Sequence, residues 1–491
     1  MKKYLIYLLF ILSIISGCSN FGGEKNISMQ NNTEESWNMS LVGSNNLQGR
    51  SAYHAVPHRY DDRYILFVGH HSGEKVNSLN GKIETNGMSI LDITDASNPI
   101  YLYHQPPTEG AENRQHVQIC NGADLPNADP EKVYLINTNG SLGAELLDVT
   151  APENPQIIGM IYYTGETNIG GKQTHKIYWD CESGIAYLNG TPEGWRIRRV
   201  LQLFDMSNPL EPHHIRNFAL DGSQPGANGP ISTPLHAPFA SGNRVYLGYG
   251  ASDDGVMQIL DRDKLINGNP ESNDPFSPTT ENLLYPQISR LDMPEYYGAH
   301  SVKPLFNIEV KDFADTEKNK FLNIVLLASE EIGIGNCSTD RDMLFIVDIT
   351  DEDKPFPISS FQAKENLGNF CERGLRFGLH AVHDSYHPNF DNSLVVMSYF
   401  NGGTRVADIR DPFDPVEVAY FVPQMNDFTQ EICSAEGGLF ITAQTDENCF
   451  RQVQTNNVDI DDRGLIYSVD RAGSGLHILE LTGKAKEIAG L

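Results

Sequence analysis

The chain has 491 residues and a formal net charge of −28 at pH 7, with 64 acidic residues against 36 basic ones. That imbalance lacks the electropositive footprint nucleic acid needs, so DNA and RNA are not expected partners. Length alone suggests about three domains, but 43 glycines and 27 prolines punctuate the sequence too often for long helices, and the pattern reads as all-β.

At the start, Lys2 and Lys3 precede the apolar run YLIYLLFILSIIS and then Ile15-Ser16-Gly17-Cys18. These are a charged n-region, an apolar h-region and a small-residue cleavage point, and the run is too short to span a membrane. Residues 1–17 resemble a bacterial lipoprotein signal with its lipobox. The resemblance implies that Cys18 becomes the first mature residue and carries an acyl chain such as palmitate. Ser19 in place of Asp implies sorting to the outer membrane of the cell envelope. A plain secretory signal with an incidental cysteine is the alternative. Residues 18–36 offer little to bury and read as a flexible tether.

One phrase then recurs: SILDITDASNPIYLYH (89–104), ELLDVTAPENPQIIGMI (145–161), LQLFDMSNPLEPHHI (201–215), LFIVDITDEDKPFPISSF (344–361) and RVADIRDPFDPVEVAYF (405–421), with degenerate copies MQILDRDKLINGNP (257–270) and LHILELTG (476–483). The aligned acidic residues are Asp92, Asp148, Asp205, Asp261, Asp348, Asp408 and Glu480. In each copy an apolar, β-branched strand ends at the acid, whose side chain can bond backbone two residues on; the following proline ends the ladder and turns the chain into the next strand. A hairpin precedes each phrase, as in RYILFVGH and SLVVMSYF, with turns such as YDDR and ASGN. Four strands per unit and seven units predict a seven-bladed β-propeller of antiparallel blades.

Blade seven ends at GLHILELTG without an outer strand, and SWNMSLVGSNNLQGR (36–50) resembles the outer strands of other blades. It is expected to complete blade seven and so remove an open edge. The propeller would then be one domain over 37–484, with 485–491 as a C-terminal tail, and a monomer. Long insertions are expected at 267–298 between blades four and five, at 423–454 between six and seven, and in the first hairpin of blade five, where binding surfaces commonly arise. The SILDITD and LFIVDIT phrases resemble the LVIVD-repeat proteins, a family of bacterial propellers; that resemblance implies the fold and carries no chemistry.

Matched positions across blades carry the candidate chemistry. His54, His116, His175, His236, His300 and His380 each stand at or just before an innermost strand, and blade seven has Asn456 or Asn457 there. The starts of innermost strands share one mouth of the channel, so these imidazoles should converge. His380, His383 and His387 lie close in sequence, but at roughly 3.3 Å per residue His387 would be roughly 23 Å along the channel from His380. A ring of neutral imidazoles suits Zn, Cu, Fe, Mn or Ni. It resembles in outline the axial histidine sites of carotenoid-cleaving oxygenases and the histidine-lined propeller of selenium-binding proteins, without extending along the sequence. Alternatively, histidine is simply the repeat's consensus residue, bonded to neighbouring carbonyls. On loops of the same face, His71 or Glu331 could add a ligand or an acid/base group, and Arg196 or Arg471 could hold an anion; solvated loop charges are the plainer reading.

Beyond Cys18, six cysteines in an oxidising compartment invite disulfides. Cys433 with Cys449 brackets a hairpin, Cys337 with Cys371 flanks the MLFIVDIT unit, and Cys120 and Cys181 either pair or stay buried. GxSxG, P-loop and HExxH signatures are missing. Three function classes follow: a metal- or ligand-binding lipoprotein propeller; a non-catalytic propeller recognising a small molecule, glycan or protein through the histidine-bearing face; and a metal-dependent oxidoreductase or lyase.

Overall fold

The computed structural model describes residues 33–491 except 112, 141, 163–173, 311–319, 334–336, 338–341, 365–367 and 434–448. The expected signal, Cys18 and the tether up to residue 32 lie outside the described residues.

Seven antiparallel sheets stand around one axis as a seven-bladed propeller. From the axis outward, blade one runs Ala52–Tyr60, Arg63–His70, Met88–Asp92 and Ile100–Gln105, and the other blades repeat that order. The remaining innermost strands are Val117–Asn121, Ile177–Asp180, Leu235–Ser241, Ser301–Glu309, Ala381–Val382 and Thr455–Ile460. The second and third strands are buried because both their faces are covered by neighbouring blades. Ile65, Phe67, Met88 and Ile90 of blade one, for example, pack with Val117, Leu135 and Leu147 of blade two. Each such side chain removed from water contributes roughly 1.5–3 kcal/mol.

The recurring acid does what its position suggests. Asp92, Asp148, Asp205, Asp348 and Asp408 each accept the backbone N–H two residues on, at 2.8 to 3.0 Å, which fixes the turn into the outermost strand. Asp261 departs from this and caps the helix Arg262–Asn267 by accepting the Lys264 N–H. The excursion it starts, with a second helix Thr280–Leu284, lies inside blade four and precedes its outermost strand Gln287–Asp292. The insertion expected between blades four and five therefore lies instead within blade four, ahead of its outermost strand. In every blade a register shift separates the third and outermost strands, the irregularity that tightens strand twist.

Met39–Asn45 pairs with Leu476–Leu481 and completes blade seven. Ahead of it, Glu35–Trp37 pairs with Val416–Val422 as a fifth strand on blade six, where the sequence suggested the end of the tether and, from residue 36, the start of the strand closing blade seven. The C-terminal tail is helical over Gly483–Ala489, with Ala485 and Ala489 buried against blades six and seven.

Blade six also differs from expectation at the axis. Its innermost strand pairs over two residues, Ala381 and Val382, instead of running the length of the channel. At His383 the backbone N–H still donates to the Val396 carbonyl at 3.0 Å, but the Val396 N–H turns to His383 Nδ1 at 3.3 Å in place of a backbone carbonyl. The chain then turns into the lumen. Asp384 reaches His54 of blade one, Ser385 bonds Asp459 of blade seven through its N–H and hydroxyl, Lys303 of blade five donates to the Ser385 carbonyl and Asp391, and the Tyr386 hydroxyl donates to the Pro304 carbonyl while its ring meets Phe239 of blade four. Residues 384–391 therefore cross the channel as a plug.

Candidate metal centre

The six aligned histidines lie together at the axis. Ring centroids are 4.0 Å apart for His54 and His116, 4.9 Å for His175 and His236, 3.9 Å for His236 and His300, and 4.7 Å for His300 and His380. Tyr53 sits among them, 6.4 Å from His116, 5.4 Å from His175 and 6.0 Å from His380. Close approach between blades is built into the backbone: at Gly69 a Cβ would fall 2.1 Å from the Gln115 carbonyl, so a larger residue would push the strand carrying His116 away.

Hydrogen bonds divide the six. His175 is satisfied, with Nδ1 2.9 Å from Gln115 Oε1 and Nε2 3.2 Å from the Tyr53 hydroxyl. His236 Nδ1 donates to the His300 carbonyl at 2.9 Å, and His380 Nδ1 donates to the Asn456 carbonyl. Because a carbonyl only accepts, both neutral rings carry their lone pair on Nε2, the tautomer in which a histidine can ligate a metal while its other nitrogen is held by a carbonyl. Both nitrogens of His300, and both of His116, are buried without a hydrogen-bond partner.

Two carboxylates complete the arrangement. Glu330 Oε2 lies 3.4 Å from His300 Nε2, and its Oε1 lies 3.7 Å from His380 Nε2 and 3.3 Å from Arg376. Asp384 Oδ2 lies 3.1 Å from His54 Nε2 and 3.7 Å from His116 Nε2. Two groups result, His236–His300–Glu330 and His54–His116–Asp384, each with ligand atoms mutually within 4.8 Å. Donors about 2.0–2.2 Å from one tetrahedral ion stand about 3.3–3.6 Å apart, so these separations are close to the edges of a coordination polyhedron.

Burial pushes the imidazoles of His116, His175, His236, His300 and His380 well below the usual histidine range, and nearby imidazoles and cations add to this. They are neutral at pH 7, as ligands must be. Lys176 is wholly buried, with Nζ 5.4 Å from the centre of the Tyr53 ring; burial lowers its pKa, opposed by the charges of Asp384 and Glu330. For Asp384, burial favours the neutral acid, but contacts with His116 and His54 and the Lys176 charge together outweigh it and hold the carboxyl well below its ordinary value.

Other residues singled out from sequence sit as follows. His71 has one ring nitrogen 3.1 Å from Gln115 and the other 3.0 Å from Arg471 Nη2, so both are engaged. Glu331 is packed against Gly378 and accepts the Gly333 N–H; its neighbour Glu330 faces the histidines. Arg196 donates to the Gly222 and Gly229 carbonyls and holds that loop. Arg471 is buried beside His71 and Phe400, and burial pushes it down to about 10. Asn456 meets the ring through its carbonyl, and its amide donates to the Tyr53 carbonyl. His387 bonds the Asn389 N–H and packs on Phe390. Asp384, Glu330, Lys176 and Tyr53 are the participants that sequence reasoning did not select. Asp384 had a signal, since it shares side-chain parity with His380 in one strand-like stretch.

Cys337 is bonded to Cys371, and Cys120 to Cys181. Cys449 is disulfide-bonded and stands opposite Cys433 in the strand register.

No family model matches the chain, and no curated protein matches it. Solved structures similar to it include a Lactobacillus plantarum protein, with a TM-score of 0.48 and 8% identity over 83% of this chain and 89% of that one. Two more are provisionally named 6-phosphogluconolactonases. The one from Bacteroides uniformis ATCC 8492 has a TM-score of 0.45 and 10% identity over 85% of this chain and 92% of its own. The one from Bacteroides fragilis NCTC 9343 has a TM-score of 0.45 and 12% identity over 86% and 95%. At these values they carry no argument about chemistry.

Proposed function

We propose that this chain is a lipid-anchored envelope propeller of the LVIVD-repeat kind that holds a transition-metal ion on its axis through His236, His300, His380 and Glu330. The observation that carries this reading is His300: both of its ring nitrogens are buried without a hydrogen bond, while His236 and His380 beside it are fixed with Nε2 free and Glu330 is 3.4 Å away. A buried polar atom left unpaired costs about 1–3 kcal/mol, and an ion would satisfy several at once. Three imidazoles and one carboxylate suit Zn, Cu, Fe or Mn. The anchor at Cys18 and the outer-membrane location are supported by the lysine pair, the apolar run and the lipobox-like Ile15-Ser16-Gly17-Cys18.

Elemental analysis of the full chain purified without chelators tests the metal. At least one equivalent is expected; His300→Ala or Glu330→Gln should lower the content by one equivalent, and His387→Ala should leave it unchanged. Less than about a tenth of an equivalent, unchanged after reconstitution, would refute it. His175 fits the structural reading, since Gln115 and Tyr53 already satisfy it; His175→Ala should leave metal content unchanged. Labelling with radioactive palmitate, lost in Cys18→Ala, tests the anchor. A small-molecule, glycan or protein partner at the histidine-bearing face belongs to the same proposal.

A further inference from the structure

The four-ligand site leaves a second group unused. His54, His116 and Asp384 come from blades one, two and six, and their ligand atoms lie within 4.8 Å of one another. His116 is 2% exposed and neither ring nitrogen is hydrogen-bonded. Like the His236–His300–Glu330 group it has three members, but where His380 stands beside that group, 3.7 Å from Glu330 Oε1, here His116 and Asp384 line a narrow cavity together with Lys176, Gln118 and Ser301. The Ser301 hydroxyl is buried without a partner, and Asp384 is 28% exposed, the most open of the candidate ligands.

We propose that His54, His116 and Asp384 form a second transition-metal site, open to this cavity, whose ion takes a small anion as its exchangeable ligand. This rests on the reading that the axis binds metal and adds a stoichiometry and a ligand class to it. Three protein ligands and one vacant position distinguish sites that exchange ligands from closed ones. The cavity supplies what such an anion needs, the buried Lys176 ammonium and the free Ser301 hydroxyl. His54 Nε2 and Asp384 Oδ2, 3.1 Å apart, face the position the ion would take. The competing contact, from the Val117 N–H to His54 Nδ1, is long at 3.5 Å and is the weak bond the metallated tautomer gives up.

Cobalt(II) titration of the full chain followed by azide tests this by visible absorption. Two cobalt ions per chain are expected, and azide should shift the spectrum of one. His116→Ala and, separately, Asp384→Asn should each leave one ion and abolish the azide response; His300→Ala should leave one ion with the response intact. Asp384→Asn keeps side-chain shape and serves if His116→Ala fails to fold by circular dichroism. A single ion, lost in His300→Ala and kept in His116→Ala, would overturn the second site while leaving the first standing. An azide response that survives Asp384→Asn would overturn the ligand assignment. A wild-type chain that binds no cobalt would overturn both readings.

Discussion

His54 Nε2 and Asp384 Oδ2 lie 3.1 Å apart across 330 positions of sequence, joining the first innermost strand to the plug that follows the sixth. That contact holds an anion beside the buried Lys176 and closes the axis from within. Asp384→Asn removes the charge and leaves Lys176 with a weaker partner set. A loss of about 1–3 kcal/mol is expected, read as a lower denaturation midpoint. A midpoint unchanged within error would mean that Lys176 draws its compensation from Glu330.

Asp459 gives a pH dependence of known sign. Burial, then the nearby Asp384 charge, push its carboxyl up to about 6. Because the folded value exceeds the unfolded one, its contribution to stability is complete below about pH 4 and is lost as pH rises through about 6. Asp459→Asn keeps an oxygen for Ser385 and removes that loss. The stability of the variant relative to wild type should therefore rise between pH 5 and pH 7.5, by up to about 1.4 kcal/mol, read as a rising difference in melting temperature. A constant difference across that range would refute the assignment.

The two N-terminal strands should differ sharply in importance. A chain starting at Asn38 loses the fifth strand of blade six and keeps ring closure; it is expected to be soluble and folded. A chain starting at Leu47 loses Met39–Asn45 and exposes the ladder of Leu476–Leu481, an open edge of the kind that pairs between molecules. Size-exclusion chromatography should show a monomer for the first and aggregate for the second.

Cys120–Cys181 joins blades two and three over a sequence separation of 61. Constraining a loop of that size is worth about 4 kcal/mol in the unfolded chain. The Cys120→Ser, Cys181→Ser double variant should lose stability of that order, and a reducing agent should shift the wild-type midpoint in the same direction while leaving the double variant's response to the other bridges.

The fold was readable because the same acid-and-proline turn is repeated, and five of the seven acids accept the backbone N–H that the pattern implies. The reading slipped at Asp261, where the side chain that elsewhere makes a turn instead starts a helix. The six histidines were readable by their matched positions at the heads of the strands. Which of them has a free nitrogen was not, because that depends on neighbours far away in sequence: Gln115 and Tyr53 for His175, the His300 carbonyl for His236, and Asn456 for His380. The carboxylates escaped for a related reason. Glu330 and Glu331 are adjacent in a loop, and packing against Gly378 decides which one faces inward. Asp384 joins the site because its own strand ends early, at His383.

The fifth strand on blade six has a mechanical consequence. Tension applied through the residues before Thr33 reaches Glu35–Trp37 before it reaches Met39–Asn45, the strand on which ring closure depends. Three residues of pairing between Glu35 and Trp37, backed by the Arg373 to Glu35 ion pair at 2.6 Å, therefore act as a fuse: they yield first, and the closed ring is spared.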